Sequence, residues 1–173
     1  HFVHIHMGVL CGDQARFVHV GQQGPVDRPT CRGRDIARWR VRRPDLWIRY
    51  EPAEMLAARP YVAPKHAGLF DVPEKILLSG TSGRRLHAAL DADRLFPLDS
   101  CYALLPANPG VDLAAILGFL LSDAVGRWYA ARHRAARVKG VEVARIPLPR
   151  HGWAAVAAAA RAQDDVALEE AVE

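Results

Sequence analysis

An eight-residue stretch, Cys31-Arg32-Gly33-Arg34-Asp35-Ile36-Ala37-Arg38, places three arginines and one acid around a glycine. A guanidinium group is a planar fork of N–H donors that suits phosphate oxygens and the edge of guanine. Glycine has no Cβ, so the backbone beside it can come close to a ligand. We therefore interpret the stretch as a way to hold a nucleic acid, with Arg32, Arg34 and Arg38 as contact residues. The alternative is an internal ion pair between an arginine and Asp35.

Two later segments carry the same chemistry. Lys75 lies in a short apolar run, which is followed by the small, polar and basic loop Gly80-Thr81-Ser82-Gly83-Arg84-Arg85. Glycines and hydroxyls would let backbone amides approach a phosphate, although the GxxxxGK[ST] pattern of a Walker loop is absent and a surface turn is the alternative. The predicted contacts in this first segment are Lys75, Thr81, Ser82, Arg84 and Arg85. The second segment lies within the basic stretch 127–150, and its predicted contacts are Arg134, Arg137 and Lys139.

Charge is clustered along the chain. Residues 1–50 have nine Arg and four acids, and residues 127–150 have seven basic residues and one acid. Residues 51–126 have six basic and nine acidic residues, and residues 151–173 have one and five. Two basic segments flanking an acidic middle are typical of a protein that binds a polyanion. The basic residues at the C-terminal end of the helix predicted over 112–137 also suit the helix dipole without any ligand.

The composition is that of a globular domain. The chain has 173 residues, 50% hydrophobic and 24% charged, with a net charge of +4, which suits one domain with a substantial core. No run reaches the length of a membrane span and the first residues do not form a signal peptide, so we expect a cytoplasmic protein that does not bind a membrane.

Neither a disulfide nor a metal site is predicted. Cys11, Cys31 and Cys101 are odd in number, far apart and without CxxC spacing, so we expect reduced thiols. His4 and His6 share one face of a predicted strand, as two metal ligands would, but no third ligand is nearby. We interpret them as exposed strand residues.

The elements that must position these residues predict an α+β fold. Apolar and polar residues alternate in residues 2–7 and 15–20, which predicts a strand, a tight loop and a partner strand. The pattern also predicts strands at residues 46–50, 75–79, 100–105 and 141–146. Residues 86–90 fit either a strand or a helix. An apolar stripe predicts one long helix over 112–137, on which a mixed, mostly antiparallel sheet packs. Residues 1–150 would form one domain, and residues 151–173 a C-terminal helical extension.

Taken in order, these pieces resemble the C-terminal target-recognition (specificity) domain of TaqI- and Eco57I-type adenine-N6 DNA methyltransferases and of fused restriction-modification enzymes. The resemblance covers roughly residues 1–150. It is carried by Gly8-x-x-x-Gly12 with Phe17-Val18, Arg32-Gly33-Arg34-Asp35-Ile36, Trp47-Ile48-x-Tyr50, Pro73-x-Lys75-Ile76-Leu77, Leu98-Asp99-x-x-Tyr102, Leu117-Gly118-Phe119-Leu120-Leu121-Ser122 and Ile146-Pro147-Leu148-Pro149.

The resemblance implies a module that recognises double-stranded DNA for a catalytic domain of the same parent protein. This chain departs from a whole methyltransferase, because it has no [DNS]-Pro-Pro-[YFW] motif and no glycine-rich turn for S-adenosylmethionine. We therefore expect no catalysis and no cofactor in this chain, with S-adenosylmethionine bound by the catalytic domain, which would extrude the target adenine.

Two other functions remain open at this point. A metal-dependent nuclease would use acids and a lysine near a metal, and Pro44-Asp45 with Glu74-Lys75 approximates that pattern, although the residue between acid and lysine is missing. A protein-interaction module would present the basic surface to an acidic partner and dock a helix through its alanine-rich C-terminal segment, and the acidic residues after 163 fit this in part.

Overall fold

The computed structural model describes residues 2–42, 45–59, 61–81, 85–133, 137–149 and 151–172. Its strands are β1 (Val3–Met7), β2 (Val18–Val20), β3 (Asp27–Cys31), β4 (Leu46–Arg49), β5 (Lys75–Ser79), β6 (Ala88–Asp91), β7 (Phe96–Pro97) and β8 (Cys101–Pro106). Its helices are α1 (Gln14–Phe17), α2 (Pro52–Ala58), α3 (Leu113–Leu121), α4 (Asp123–Arg132), α5 (Gly140–Val143), α6 (Trp153–Ala162) and α7 (Asp165–Val172). The predicted α+β class and the mostly antiparallel pairing are confirmed.

The strands form two sheets rather than one. The first has the order β1-β8-β5-β6 and is antiparallel throughout. The second has the order β2-β4-β3-β7, in which only the short β3–β7 pair is parallel. The predicted pairing of residues 2–7 with 15–20 is wrong, because β1 pairs with β8, and residues 14–17 form α1 before β2 begins.

The first sheet lies between two hydrophobic clusters. Along β5, Ile76 and Leu78 belong to the cluster on the helical side, whereas Leu77 belongs to the cluster on the side of the second sheet. All five residues of β5 are buried, as the uninterrupted apolar run predicts for a central strand covered on both faces.

The predicted helix over 112–137 is broken at Ser122. The Ser122 hydroxyl accepts a hydrogen bond from Val125 N at 3.3 Å, so this serine ends α3 and caps α4, and the two helices meet at 60°. All nine residues of α3 are buried, and each buried leucine contributes about 1.5–3 kcal/mol to folding. None of the described helices alone is long and apolar enough to cross a membrane, and only the bent pair α3–α4 meets that length and composition.

Helices α6 and α7 pack into the same cluster as α3. A Cβ on Gly118 of α3 would lie 2.6 Å from Val156 Cγ1 of α6, so glycine permits the close approach of these helices. Residues 153–162 and 165–172 are helical as predicted, and their inner faces are part of the core.

Residues 140–143 form helix α5 where the alternation of Val141, Glu142 and Val143 predicted a strand. The Glu142 side chain accepts a hydrogen bond from Lys139 N at 3.3 Å, which satisfies a free N–H at the start of the helix. The strand prediction for residues 141–146 is therefore wrong, because a local side-chain cap outweighs the pattern.

Candidate nucleic-acid interface

The motif around Gly33 folds as a single 3-10 turn, Gly33–Asp35, directly after β3. The Asp35 carboxylate accepts a hydrogen bond from Arg32 N at 2.8 Å and so caps this turn. Asp35 thus bonds to the backbone, and it forms no ion pair with an arginine among the residues that the structure describes. The internal ion pair considered for this motif is not formed.

The turn rests on the start of β8. Gly33 N donates to the Ser100 hydroxyl at 2.9 Å, and a Cβ on Gly33 would lie 2.5 Å from the Ser100 carbonyl oxygen. The same Cβ would lie 3.0 Å from the Thr81 hydroxyl oxygen. Glycine at position 33 is therefore required because the turn packs directly against two other segments of the chain.

The end of β5 joins the Gly33–Asp35 turn to the basic residues 137–139. Gly80 N donates to Ser100 O at 2.8 Å, and Val138 N donates to Gly80 O at 3.0 Å. Tyr102 supports the same segment, since its hydroxyl donates to Val138 O at 3.2 Å. Residues 33, 80 and 138, far apart in sequence, are therefore linked through one end of the first sheet.

Glu142 follows residues 137–139 in helix α5, and hydrogen bonds hold its side chain in place. Its carboxylate accepts a hydrogen bond from the Tyr129 hydroxyl at 2.7 Å, and that hydrogen bond lowers the pKa of Glu142. Burial raises the pKa of Tyr129, so the phenol remains a donor. The carboxylate also lies 3.5 Å from His133 Nδ1.

We call the three linked segments the basic edge, of which the structure describes residues 32–35, 80–81, 85 and 137–139. Arg34, Arg85, Arg137 and Lys139 are exposed, and Arg32 is partly exposed. The side chains of this edge that form no ion pair with any described residue are Arg32, Arg34, Arg137 and Lys139. Cations without a carboxylate partner can meet a phosphate without first losing an ion pair.

Arg85 and Thr81 also belong to the basic edge. Arg85 Nη2 lies 3.4 Å from Asp123 Oδ1, with 71% of the arginine side chain exposed, so this ion pair is weak and easily exchanged. Thr81 is exposed, and its N–H donates to the Ser79 hydroxyl at 3.2 Å. Three further predicted contacts, Ser82, Arg84 and Arg134, lie outside the described residues.

Lys75 is a core residue, which corrects its place among the predicted contacts. Its side chain is fully buried, its ammonium lies 2.5 Å from Asp91 Oδ2, and it donates to Phe70 O at 2.8 Å. Lys75 is paired with Asp91 across β5 and β6, at the end of β5 opposite Gly80. The two covered faces of β5 leave this lysine no path to a ligand.

Arg38 also differs from its predicted role. Its Nε and Nη2 donate to Asp165 Oδ1 at 2.8 and 2.6 Å, and its Nη1 donates to Leu121 O. The hydrogen bond from Arg38 lowers the pKa of Asp165. Because its donors are directed to the protein itself, we do not include Arg38 in the basic edge.

Sequence reasoning missed the residues that hold the edge together. Ser100 and Tyr102 were visible only as part of the Leu98-Asp99-x-x-Tyr102 pattern, which includes Ser100 but assigns it no contact. Glu142 was hidden within a predicted strand. The signal for Glu142 was a glutamate three residues after Lys139, the residue that precedes the helix, which is a common capping spacing.

The residues suggested for other functions are not brought together. Asp45 accepts a hydrogen bond from Trp47 Nε1 at 2.8 Å, whereas Lys75 pairs with Asp91, and Pro44 lies outside the described residues. In the C-terminal segment, Asp165 pairs with Arg38, and Glu169 accepts the N–H of Asp123 at 2.9 Å. These acids are used in intramolecular bonds.

The thiols and histidines show no metal arrangement in the described chain. No three His, Cys, Asp or Glu side chains there form a group that could hold a metal ion. Cys11, Cys31 and Cys101 are free and buried, and a hydrogen bond with Cys101 raises the pKa of Cys31 well above its usual range. A thiol with a raised pKa, such as that of Cys31, is a poor nucleophile and metal ligand.

Comparison with known proteins identifies the family. The TaqI-like C-terminal specificity domain family matches residues 28–148, which include all three segments of the basic edge. The chain belongs to this family. The match spans well over half of the sequence and agrees with the resemblance found from the motifs.

A solved structure has the same fold. The TaqI-like specificity domain superposes on the Type IIL restriction-modification enzyme MmeI, solved in complex with DNA, with a TM-score of 0.66 and 12% sequence identity. The match covers 99% of this chain and 32% of MmeI, so the chain spans about a third of that enzyme's length. No curated protein sequence matches the chain significantly.

Proposed function

We propose that this chain is the DNA target-recognition module of a larger adenine-N6 DNA methyltransferase or combined restriction-modification enzyme. The single observation that carries the proposal is the basic edge, where hydrogen bonds link three distant segments, two of which carry cations that form no ion pair with any described residue. Membership of the specificity-domain family and the fold shared with MmeI support the same function.

In this proposal the edge binds duplex DNA through its phosphates. Arg137 and Lys139 flank Val138, which donates to Gly80 O, and Arg85 is exposed. Phosphate contacts from such cations fix the register of a protein on DNA. Arg32 and Arg34 flank a glycine turn that approaches other segments closely, and such arginines suit either a phosphate or guanine O6 and N7.

Catalysis and the cofactor belong to the parent protein in this proposal. The chain lacks the amine-methylation motif and the glycine-rich turn for S-adenosylmethionine, so both would lie in a catalytic domain elsewhere in the parent. That domain would extrude the adenine once the recognition module has fixed the site. We propose a cytoplasmic location, where such enzymes meet DNA.

The test compares two double variants of equal charge. In Arg34→Gln/Arg137→Gln the basic edge loses two unpaired cations, and in Arg94→Gln/Arg161→Gln two exposed arginines are lost elsewhere. Arg94 pairs with Asp71 beyond the Lys75 end of β5, and Arg161 pairs with Asp112 at the far end of α3 from Asp123.

Duplex affinity is measured against salt concentration for the wild-type chain and both variants. Each phosphate contact contributes about 0.9 to the slope of log affinity against log salt, so the first variant should lose about two units of slope. The second should retain the wild-type slope. Equal slopes for the two variants, or a wild-type affinity that does not change with salt, would refute the proposal.

A further inference from the structure

The residues after the Gly33–Asp35 turn form a short hairpin whose tip carries an unusual backbone. Ile36 and Val41 form an antiparallel bridge, and Ala37 N donates to Arg40 O at 2.9 Å. We call residues 36–41 the tip hairpin. At its tip, Trp39 has a φ of +69°, a left-handed conformation that is rare for a bulky residue. Such a conformation persists only where surrounding contacts hold it.

The contacts at the tip converge on one acid of the C-terminal helix α7. Asp165 Oδ1 accepts hydrogen bonds from Arg38 Nε at 2.8 Å, Arg38 Nη2 at 2.6 Å and Trp39 Nε1 at 2.8 Å. Two of these three bonds join opposite charges, which makes them shorter and stronger than neutral ones. Asp165 is therefore the main polar anchor of the tip.

Backbone bonds of the core hold the other side of the tip. Trp39 N donates to Ala88 O on the free edge of β6 at 3.0 Å, and Arg38 Nη1 donates to Leu121 O at the end of α3. The Trp39 ring also packs against the helical hydrophobic cluster. The tip hairpin thus bridges the first sheet, α3 and α7.

The tip hairpin is tied to the basic edge through two backbone hydrogen bonds. Ile36 N donates to Gly33 O at 3.2 Å, and Arg42 N donates to Asp35 O at 2.7 Å. A change in the position of the hairpin therefore moves the turn that carries Arg32 and Arg34.

We propose that Asp165 is a positioning residue for DNA binding, because it anchors the tip hairpin and thereby fixes the Gly33–Asp35 turn. This inference rests on the proposed function for its effect on DNA, whereas the anchoring is a property of the free protein. The C-terminal helices are then part of the recognition module, even though no DNA contact is assigned to them.

A competing interpretation gives Asp165 the opposite effect. Its carboxylate would imitate a phosphate and occupy Arg38, which DNA binding would have to release. The two interpretations differ in sign, because loss of an anchor weakens DNA binding whereas loss of a competitor strengthens it.

The experiment uses Asp165→Asn, Asp165→Glu, Arg38→Gln and the double variant Asp165→Asn/Arg38→Gln in the full 173-residue chain. Duplex affinity, its salt slope, and amide hydrogen exchange at Ala37 and Trp39 without DNA are measured for each. Asp71→Asn and Arg94→Gln are the matched controls, since they break another exposed ion pair at 3.2 Å.

Asp165→Asn and Arg38→Gln should each weaken DNA binding roughly tenfold, as expected when a charge-assisted bond is lost, and both should leave the salt slope unchanged. Their effects should not add, because each removes the same contact. Amide exchange at Ala37 and Trp39 should become faster, and Asp165→Glu should recover much of the affinity. The controls should bind as the wild type does.

The other outcomes overturn the inference in distinguishable ways. Tighter binding by Asp165→Asn would show that the carboxylate competes with DNA, and a slope lowered by about one unit in Arg38→Gln would show that Arg38 contacts a phosphate. Unchanged amide exchange would show that Asp165 does not anchor the tip. If the wild-type chain does not bind DNA, the proposed function fails, and the exchange measurement still decides whether Asp165 anchors the hairpin.

Discussion

The second sheet and the basic edge are both rich in arginine, but they use it differently. Beside the second sheet, Arg49 lies 3.0 Å from Glu51 and 2.6 Å from Glu54, and Arg16 lies 3.2 Å from the same Glu54. Both guanidinium groups also lie over the Phe17 ring, that of Arg16 at 5.1 Å and that of Arg49 at 5.3 Å from the ring centre. These cations are already matched by acids and an aromatic face.

In the basic edge two of the nearby acids are occupied by donors other than its exposed cations. Asp35 caps the turn of its own segment, and Glu142 receives the Tyr129 hydroxyl and Lys139 N. The number of arginines in a segment therefore says little about its capacity to bind DNA. What matters is whether the nearby carboxylates accept hydrogen bonds from backbone N–H groups and a tyrosine hydroxyl, or form ion pairs with the arginines. Only in the first case do the arginines remain available to a phosphate.

The largest effect is expected where pairing is most complete. Lys75→Ala would leave Asp91 charged and buried without its cation, which costs about 3–5 kcal/mol of unfolding free energy. Two backbone donors, Asp93 N and Leu95 N, still bond to Asp91 at 3.0 Å and hold the cost within that range. Urea denaturation checks this value. Arg94→Gln, which removes an exposed pair, should cost less than about 1 kcal/mol.

A loss below 1 kcal/mol for Lys75→Ala would mean that the buried pair resembles an exposed one. The contrast between core cations and edge cations would then have no energetic basis.

A smaller effect on stability is expected at Gly33. The same change should also weaken DNA binding. Gly33→Ala places a Cβ 2.5 Å from the Ser100 carbonyl oxygen, so the turn must move away from β8, at a cost of about 1–3 kcal/mol. Because Arg32 and Arg34 move with the turn, duplex affinity should fall as well. Gly110→Ala is the control, since its Cβ would meet nothing within 4 Å. Wild-type affinity in a folded Gly33→Ala protein would show that the turn is not part of the interface.

Local pattern was enough for several elements of the fold. The apolar run of β5 predicted a central strand, and the apolar stripe predicted helix in most of residues 113–132, because burial on two faces or on one stripe leaves a direct mark in sequence. The break at Ser122 was missed because the stripe continues through it. The serine followed by Asp123 was an available cap signal.

Contacts between distant residues could not be predicted in this way. The basic edge depends on the strand order β1-β8-β5-β6, which places Ser100 beside Gly80 and which no local pattern encodes. Arg38 and Asp165 are 127 positions apart, so the arginine looked free in sequence. The residues that position the candidate site were therefore harder to find than the arginines, which composition reveals directly.

The smallest effect is expected at Glu142, whose carboxylate accepts a hydrogen bond from the Tyr129 hydroxyl. The pKa of Glu142 in the folded protein lies below its ordinary value of 4.5, chiefly because the Tyr129 hydroxyl donates to the carboxylate. A lowered folded pKa means that this group stabilises the fold above its ordinary pKa. The contribution is lost as the pH falls through the folded pKa.

Glu142→Gln should therefore lower the free energy of unfolding by on the order of 1 kcal/mol at pH 7, because glutamine can still accept the hydrogen bond and only its charge assistance is lost. The difference from wild type should shrink toward zero as the pH falls from the ordinary value of 4.5 through the lower folded pKa, below which the wild-type carboxylate is also neutral. Denaturation of both proteins over this range measures it, and the other carboxylates cancel in the difference. A difference that stays constant with pH would show that Glu142 acts through packing alone, and that the charge of its carboxylate does not contribute to the fold.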